Sequence, residues 1–173
     1  KEVSPALPAA LVALEDRHFY SHRGVDWRAL AAATWQNLFS QKKRGASTIT
    51  MQLVSLLGLE GPRSGRRGPI EKIHQVWQAL RLEAAWSKGE VLEAYLNLVP
   101  FRGEIVGLRA ASMAFFGKGP SGLNEAEALF LSAMIRSPNA SARAIARSIC
   151  FAKEVSDCSW WERFADASLA SRR

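Results

Sequence analysis

Two short tracts hold the residues best suited to chemistry. From 15 to 24 the chain reads Glu-Asp-Arg-His-Phe-Tyr-Ser-His-Arg-Gly, and from 45 to 52 Gly-Ala-Ser-Thr-Ile-Thr-Met-Gln. An acid pair, two histidines and a glycine turn thus stand upstream of a Gly/Ser/Thr segment able to open a helix. Polar clusters of this kind between apolar stretches are how clefts are stocked for catalysis. A carboxylate such as Glu15 takes the proton of a hydroxyl that comes within hydrogen-bond reach. Asp16 beside it suits a loop-holding role through backbone hydrogen bonds. The hydroxyls of Ser47 and Thr48, with the amides of a helix start and the nearby Gln52, suit a sugar or an anionic ligand. A plain N-cap is the competing reading, and the two are compatible. His22 can orient the first tract by a hydrogen bond, although a satisfied structural histidine is the simpler role; His18 and His74 have no stronger claim.

These residues need elements to hold them. Ser4, Pro5 and Pro8 are start signals for a helix through Leu11, Val12 and Leu14 that runs out near Glu15 and Asp16, leaving the carboxylates at an element end. Asp26 is placed to cap a helix through Leu30, Ala33, Trp35 and Leu38. Ser47 or Thr48 can cap another through Ile49, Leu53, Leu56 and Leu57, which Gly58 can terminate. The stretch 61–69, rich in Gly, Pro and Arg, reads as a basic loop. Over 70–86, Ile73, Val76, Trp77, Leu80 and Ala84 recur at threes and fours, as in an amphipathic helix. The same stretch wound at about 100° per residue gathers Lys72, Gln75, Ala79 and Glu83 on one flank. Ser87 with Glu90, and Asn124 with Glu127, read as capping boxes, the first opening a helix to Asn97 that Pro100 stops. No period-two alternation is persuasive anywhere, so the expected fold class is all-α.

A chain of 173 residues, 48% hydrophobic and 23% charged, suffices for one globular core. No apolar run approaches the roughly 20 residues needed to cross a bilayer. The first residue is Lys1, which leaves an upstream anchor or signal open. A net charge of +7 calls for an anionic partner or surface. Basic residues gather at Lys42, Lys43 and Arg44 and at Arg63, Arg66 and Arg67. With no helix-turn-helix, zinc-finger or RNA-binding pattern, nucleic acid is not expected, and a lipid-borne phosphate fits better. Trp27, Trp35, Leu38 and Phe39, ending in the first basic run, have the makeup of an interfacial helix, although periodicity alone serves core packing as well. Cys150 and Cys158 would stand about 12 Å apart on one continuous helix, too far to bridge. Two free thiols are the favoured reading unless the chain turns between them. The tail 141–173 offers one or two amphipathic helices through Phe151, Val155, Trp160, Trp161, Phe164 and Leu169.

The order and spacing of these tracts resemble the peptidoglycan glycosyltransferase family, the glycan-polymerising module of class A penicillin-binding proteins and of monofunctional transglycosylases. Residues 15–24 match that family's EDRxFxxHxG at every fixed position, and 45–52 match GxSTIxQQ except at Met51. Lys88, Leu92, Glu93, Tyr95, Leu96 and Asn97 repeat KxxxLExYLN, and Gly107, Ala110, Ala111, Phe116 and Gly117 follow the fifth motif. The wording with Ala46, Met51 and Gln75 is most similar to the penicillin-binding protein 1C branch.

The resemblance implies a lysozyme-like helical domain with two lobes around a cleft, over 1–140, followed by a helical tail over 141–173 of no assigned role. It implies polymerisation of lipid II on a growing glycan strand at the outer, periplasmic face of the bacterial cytoplasmic membrane. Undecaprenyl pyrophosphate leaves, and a divalent cation, magnesium or manganese, assists. Membrane contact and cell-wall synthesis partners follow from the same likeness. Glu15 falls on the catalytic glutamate and Lys72 on the lysine that meets the pyrophosphate, with Asp16, His22, Ser47, Thr48 and Gln52 on the substrate side. Gln75 stands where the family carries a second glutamate, Glu71 where an arginine is common, and Ser55 where a basic residue is expected. Glutamine keeps a carbonyl acceptor but cannot ionise. These lost charges motivate a second reading, a non-catalytic module that binds lipid II or a cell-wall partner. A lysozyme-like hydrolase is weaker, because hydrolysis calls for a second carboxylate.

Overall fold

The computed structural model describes residues 3–39, 47–59, 69–153 and 158–170. Nine α-helices lie among them: α1 (Ala6–Glu15), α2 (Trp27–Phe39), α3 (Ile49–Leu56), α4 (Pro69–Ala85), α5 (Lys88–Leu98), α6 (Leu108–Phe116), α7 (Glu125–Arg136), α8 (Ala142–Lys153) and α9 (Ser159–Ala170). Extended pairing among the described residues is limited to two isolated bridges, Arg23 with Val25 and Pro100 with Val106. The all-α expectation holds. The chain divides into two compact units, Lys1–Arg17 with Leu96–Arg173, and His18–Tyr95.

The first unit is built on α7, whose residues 127–135 are all buried. Asn124 and Glu127 close the capping box read from the sequence, with reciprocal bonds of 2.9 Å, a device that contributes about 1 kcal/mol. Helices α1, α6 and α8 pack against α7, and α9 packs on α8 and α6. Phe115, Phe116, Phe130 and Phe164 join these helices through edge-on and stacked ring contacts. Gly107 has φ +84°, and a Cβ there would stand 2.7 Å from the Asn97 carbonyl oxygen. Only glycine lets the turn before α6 lie this close to the end of α5.

The cysteine reading is corrected here. Cys150 and Cys158 form a disulfide, with Cα atoms 6.0 Å apart. The spacing argument assumed one continuous helix, whereas α8 ends at Lys153 and α9 packs back against it. Both tail helices belong to the first unit.

The second unit packs α3 against α4. Val25, Met51, Val54 and Ala79 form its core, with Leu30, Val76, Leu80 and Leu82 at the margin. Gly24, at φ +82°, lies flat against α4, where a Cβ would come 2.6 Å from the Ala79 carbonyl oxygen. The glycine that ends the first tract is therefore a spacer between a loop and a helix. Ser87 and Glu90 cap α5 as expected.

Helix α4 departs from its apolar periodicity. Ile70, Ile73 and Trp77 are exposed, Val76 and Leu80 are half-buried, and the deeply buried positions are Gln75 and Ala79. The polar flank of Lys72, Gln75, Ala79 and Glu83 faces inward because α3 offers it hydrogen-bond partners. Trp77 is instead covered by the Arg81 guanidinium, 4.7 Å from its ring centroid.

Candidate active site

Helix α3 starts at a doubly used hydroxyl. Thr48 is the N-cap, and its Oγ1 accepts from the Met51 amide at 3.2 Å and donates to the Gly24 carbonyl at 2.6 Å. The N-cap role raised by the sequence is thus met, and it ties the second tract to the end of the first. One residue earlier, Ser47 Oγ accepts from Lys72 Nζ at 2.8 Å. The same ammonium donates to Gln75 Oε1 at 2.8 Å. The Gln75 side chain, 2% exposed, turns its Nε2 to the Met51 carbonyl and to Ser55 Oγ, each at 2.7 Å. Ser55 Oγ donates in turn to the Met51 carbonyl at 3.3 Å. The direction of every bond follows from chemistry: an ammonium only donates and a carbonyl only accepts, so the amide can face them in one orientation alone.

A second network lies about two turns beyond Gln75 on the same flank of α4. Glu83 accepts from Lys88 Nζ at 2.6–2.7 Å, and it accepts from Thr50 Oγ1 as well. The Lys88 ammonium also sits 4.3 Å from the Phe19 ring centroid. Gln52 Oε1 accepts from the hydroxyl of the fully buried Tyr95 at 2.7 Å, so Tyr95 binds α5 to α3. His22 is half-buried with its ring edge-on to Phe19. Asp26 caps α2 through the Ala29 amide at 2.9 Å and pairs with His18 Nδ1 at 2.8 Å. The Ala29 amide bond, helped by His18 and opposed by burial, holds the Asp26 carboxyl below the ordinary aspartate range.

Ser47, Lys72 and Gln75 are therefore one hydrogen-bonded group, and Thr48, Gln52 and His22 belong to the same unit. Glu15 and Asp16 belong to the first unit. Glu15 is the last residue of α1 and half-buried, and Asp16 is its buried C-cap, with its amide on the Val12 carbonyl at 3.0 Å. Arg136 of α7 donates to the Leu14 carbonyl at 2.9 Å, closing the end of α1 at the catalytic candidate. Sequence reasoning missed Arg136, which lies 122 residues away, and it missed Ser55 as a partner of Gln75. The flank projection alone pointed to Glu83. Lys42, Lys43, Arg44, Arg63, Arg66 and Arg67 lie outside the described residues.

The family model described as Transglycosylase matches residues 1–157. The chain belongs to the transglycosylase family. Penicillin-binding protein 1C of Escherichia coli (strain K12) is 41% identical over 140 residues, 80% of this chain and 18% of that protein. Penicillin-binding protein 2D of Bacillus subtilis (strain 168) is 37% identical over 140 residues, 80% of this chain and 20% of that protein. The biosynthetic peptidoglycan transglycosylase of Shewanella oneidensis is 38% identical over 138 residues, 80% of this chain and 58% of that protein. The chain thus spans about a fifth of the two penicillin-binding proteins and somewhat over half of the third relative. The transglycosylase match also runs past residue 140, into the segment read as a separate tail.

Among the described residues no three His, Cys, Asp or Glu side chains gather as a metal site.

Proposed function

We propose that this chain is a peptidoglycan glycosyltransferase that polymerises lipid II. The supporting observation is the Ser47, Lys72 and Gln75 group beside the start of α3, where an oriented ammonium and helix amides suit a diphosphate. In this reading the 4-hydroxyl of lipid II attacks the anomeric carbon of the growing strand. The bond from that carbon to the diphosphate oxygen breaks, and undecaprenyl pyrophosphate departs with the electron pair. Glu15 takes the hydroxyl proton, and Lys72 meets the charge developing on the leaving oxygens. Asp16, His22, Ser47, Thr48 and Gln52 are assigned to the substrate side, and Gln75 to the catalytic group through Lys72. Magnesium or manganese, implied by the family resemblance, would supply Lewis-acid charge at the diphosphate beside Lys72.

The proposal places the chain at the outer face of the cytoplasmic membrane, with its lipid-linked substrate and the partners of cell-wall synthesis. No helix among the described residues is long and apolar enough to cross a membrane. Trp27, Leu30, Ala31, Thr34 and Trp35 line one groove of about 360 Å³ on α2, with Trp27, Trp35 and Phe39 exposed. Exposed aromatics on a chain of net charge +7 suit the headgroup layer of an anionic bilayer.

Incubation with lipid II and a divalent cation tests the reading. Polymer from the unaltered chain and none from Glu15→Gln is the expected result. The neutral Gln75 favours one rival, a binding module without turnover. Bound lipid II that is never polymerised would establish that rival.

A further inference from the structure

We propose that Arg136 is a positioning residue for Glu15, acting on the backbone at the end of α1. The inference rests on the reading of Glu15 as the base. A helix leaves its last carbonyls without partners inside the helix, and its last turn frays where nothing else meets them. Glu15 is the last residue of α1, so its carboxylate is carried by that turn. The turn is closed by three bonds. The Asp16 amide donates to the Val12 carbonyl at 3.0 Å, Arg17 Nε to the Ala13 carbonyl at 3.4 Å, and Arg136 Nη1 to the Leu14 carbonyl at 2.9 Å. The first two come from the residues that follow the helix and move with it. Arg136 comes from α7.

The place of Arg136 in the fold makes it a fixed point. It is the last residue of α7, directly after the buried run 127–135, so its backbone belongs to the most deeply packed helix of the first unit. Leu7, Leu11 and Leu14 are buried on α1, which packs on α7. Leu14 is therefore held twice, by its side chain in the core and by its carbonyl on Arg136, and Glu15 is the next residue. The last turn of α1 carries no basic residue of its own, and a guanidinium on its carbonyl also opposes the negative end of the helix dipole. A base displaced by about 1 Å loses up to about a hundredfold in rate. Holding the Leu14 carbonyl limits that displacement, because it fixes the Cα of Glu15 against a rigid helix and not against a loop.

Two variants of the full chain test the role. Arg136→Met removes the donor and the charge but keeps an apolar stem; Arg136→Lys keeps a cation that can donate. Hydrogen exchange of the Asp16 amide, which bonds to the Val12 carbonyl, reports whether the end of α1 is closed. Rates of strand formation over a range of lipid II concentrations separate kcat from KM. Arg136→Met is expected to speed Asp16 exchange about tenfold, the scale of one hydrogen bond to a charged group. It is expected to lower kcat about tenfold or more while KM stays within about twofold. Arg136→Lys is expected to recover most of both losses. Unchanged kcat in Arg136→Met, or Asp16 exchange at the unaltered rate, overturns the positioning role. A loss carried by KM and not by kcat places the guanidinium on the substrate and overturns it too. So does an Arg136→Lys variant that recovers neither loss. If Glu15→Gln forms strands at the unaltered rate, the underlying assignment of Glu15 fails and the inference with it. If Glu15→Gln loses turnover while Arg136→Met keeps it, the inference alone fails.

Discussion

Replacing Gly24 by alanine tests how the first tract is held to α4. Two costs can be read from the backbone. The φ of +82° is one that L residues rarely adopt, at about 1–2 kcal/mol for a residue with a Cβ. The new Cβ would also lie 2.6 Å from the Ala79 carbonyl oxygen and 2.8 Å from its carbon. Both neighbours are backbone, so relief requires the loop and α4 to part, an overpacking cost of about 1–3 kcal/mol. The sum is about 2–5 kcal/mol. Gly58 supplies the control, because its φ of +69° carries the first cost while nothing lies within 4 Å of its Cβ position. Urea denaturation of Gly24→Ala and Gly58→Ala should therefore differ by the contact cost alone, about 1–3 kcal/mol. Equal stability losses in the two variants would refute the close-approach argument.

Three further outcomes are expected. Asp26→Ala should cost about 1 kcal/mol at neutral pH, the scale of an N-cap. Because the folded Asp26 carboxyl titrates below its unfolded value of 3.8, its charge-linked stability is present above that pH. It is lost as pH falls through the folded value, so the gap between the two proteins should narrow in acid denaturation profiles. Tyr95→Phe should cost about 1 kcal/mol in urea denaturation by leaving Gln52 Oε1 without the phenol hydrogen. Replacing both Trp27 and Trp35 by serine should change stability by less than about 0.5 kcal/mol, since both are exposed. The same variant should bind vesicles containing anionic lipid about tenfold more weakly in a sedimentation assay.

What the sequence revealed follows from the range of each interaction. Asp26, Thr48, Ser87 and Asn124 were readable as caps because their partners lie three residues away. The flank of Lys72, Gln75, Ala79 and Glu83 was readable because helical winding alone creates it. Which side of α4 turns inward was not, and the apolar stripe misled. The choice is made by Met51, Ser55 and Thr50, 20–33 residues away, whose hydrogen bonds reward burial of the polar side. The disulfide was misjudged for a related reason: the packing of α9 against α8, which brings the two Cα atoms to 6.0 Å, has no local signature in the sequence. Arg136 on the Leu14 carbonyl has no local signature at all. In the site itself, motif spacing supplied the residues, and the structure supplied the bond directions that distinguish an amide from a carboxylate at 75.

The central claim concerns Glu15 as the base of a polymerising enzyme. Its most direct measurement follows glycan strand formation from lipid II by the unaltered chain and by Glu15→Gln, with both confirmed folded by circular dichroism. The account predicts polymer from the former and a loss of at least about a hundredfold in the latter, the lower scale of general base catalysis. Turnover by Glu15→Gln at the rate of the unaltered chain would contradict it.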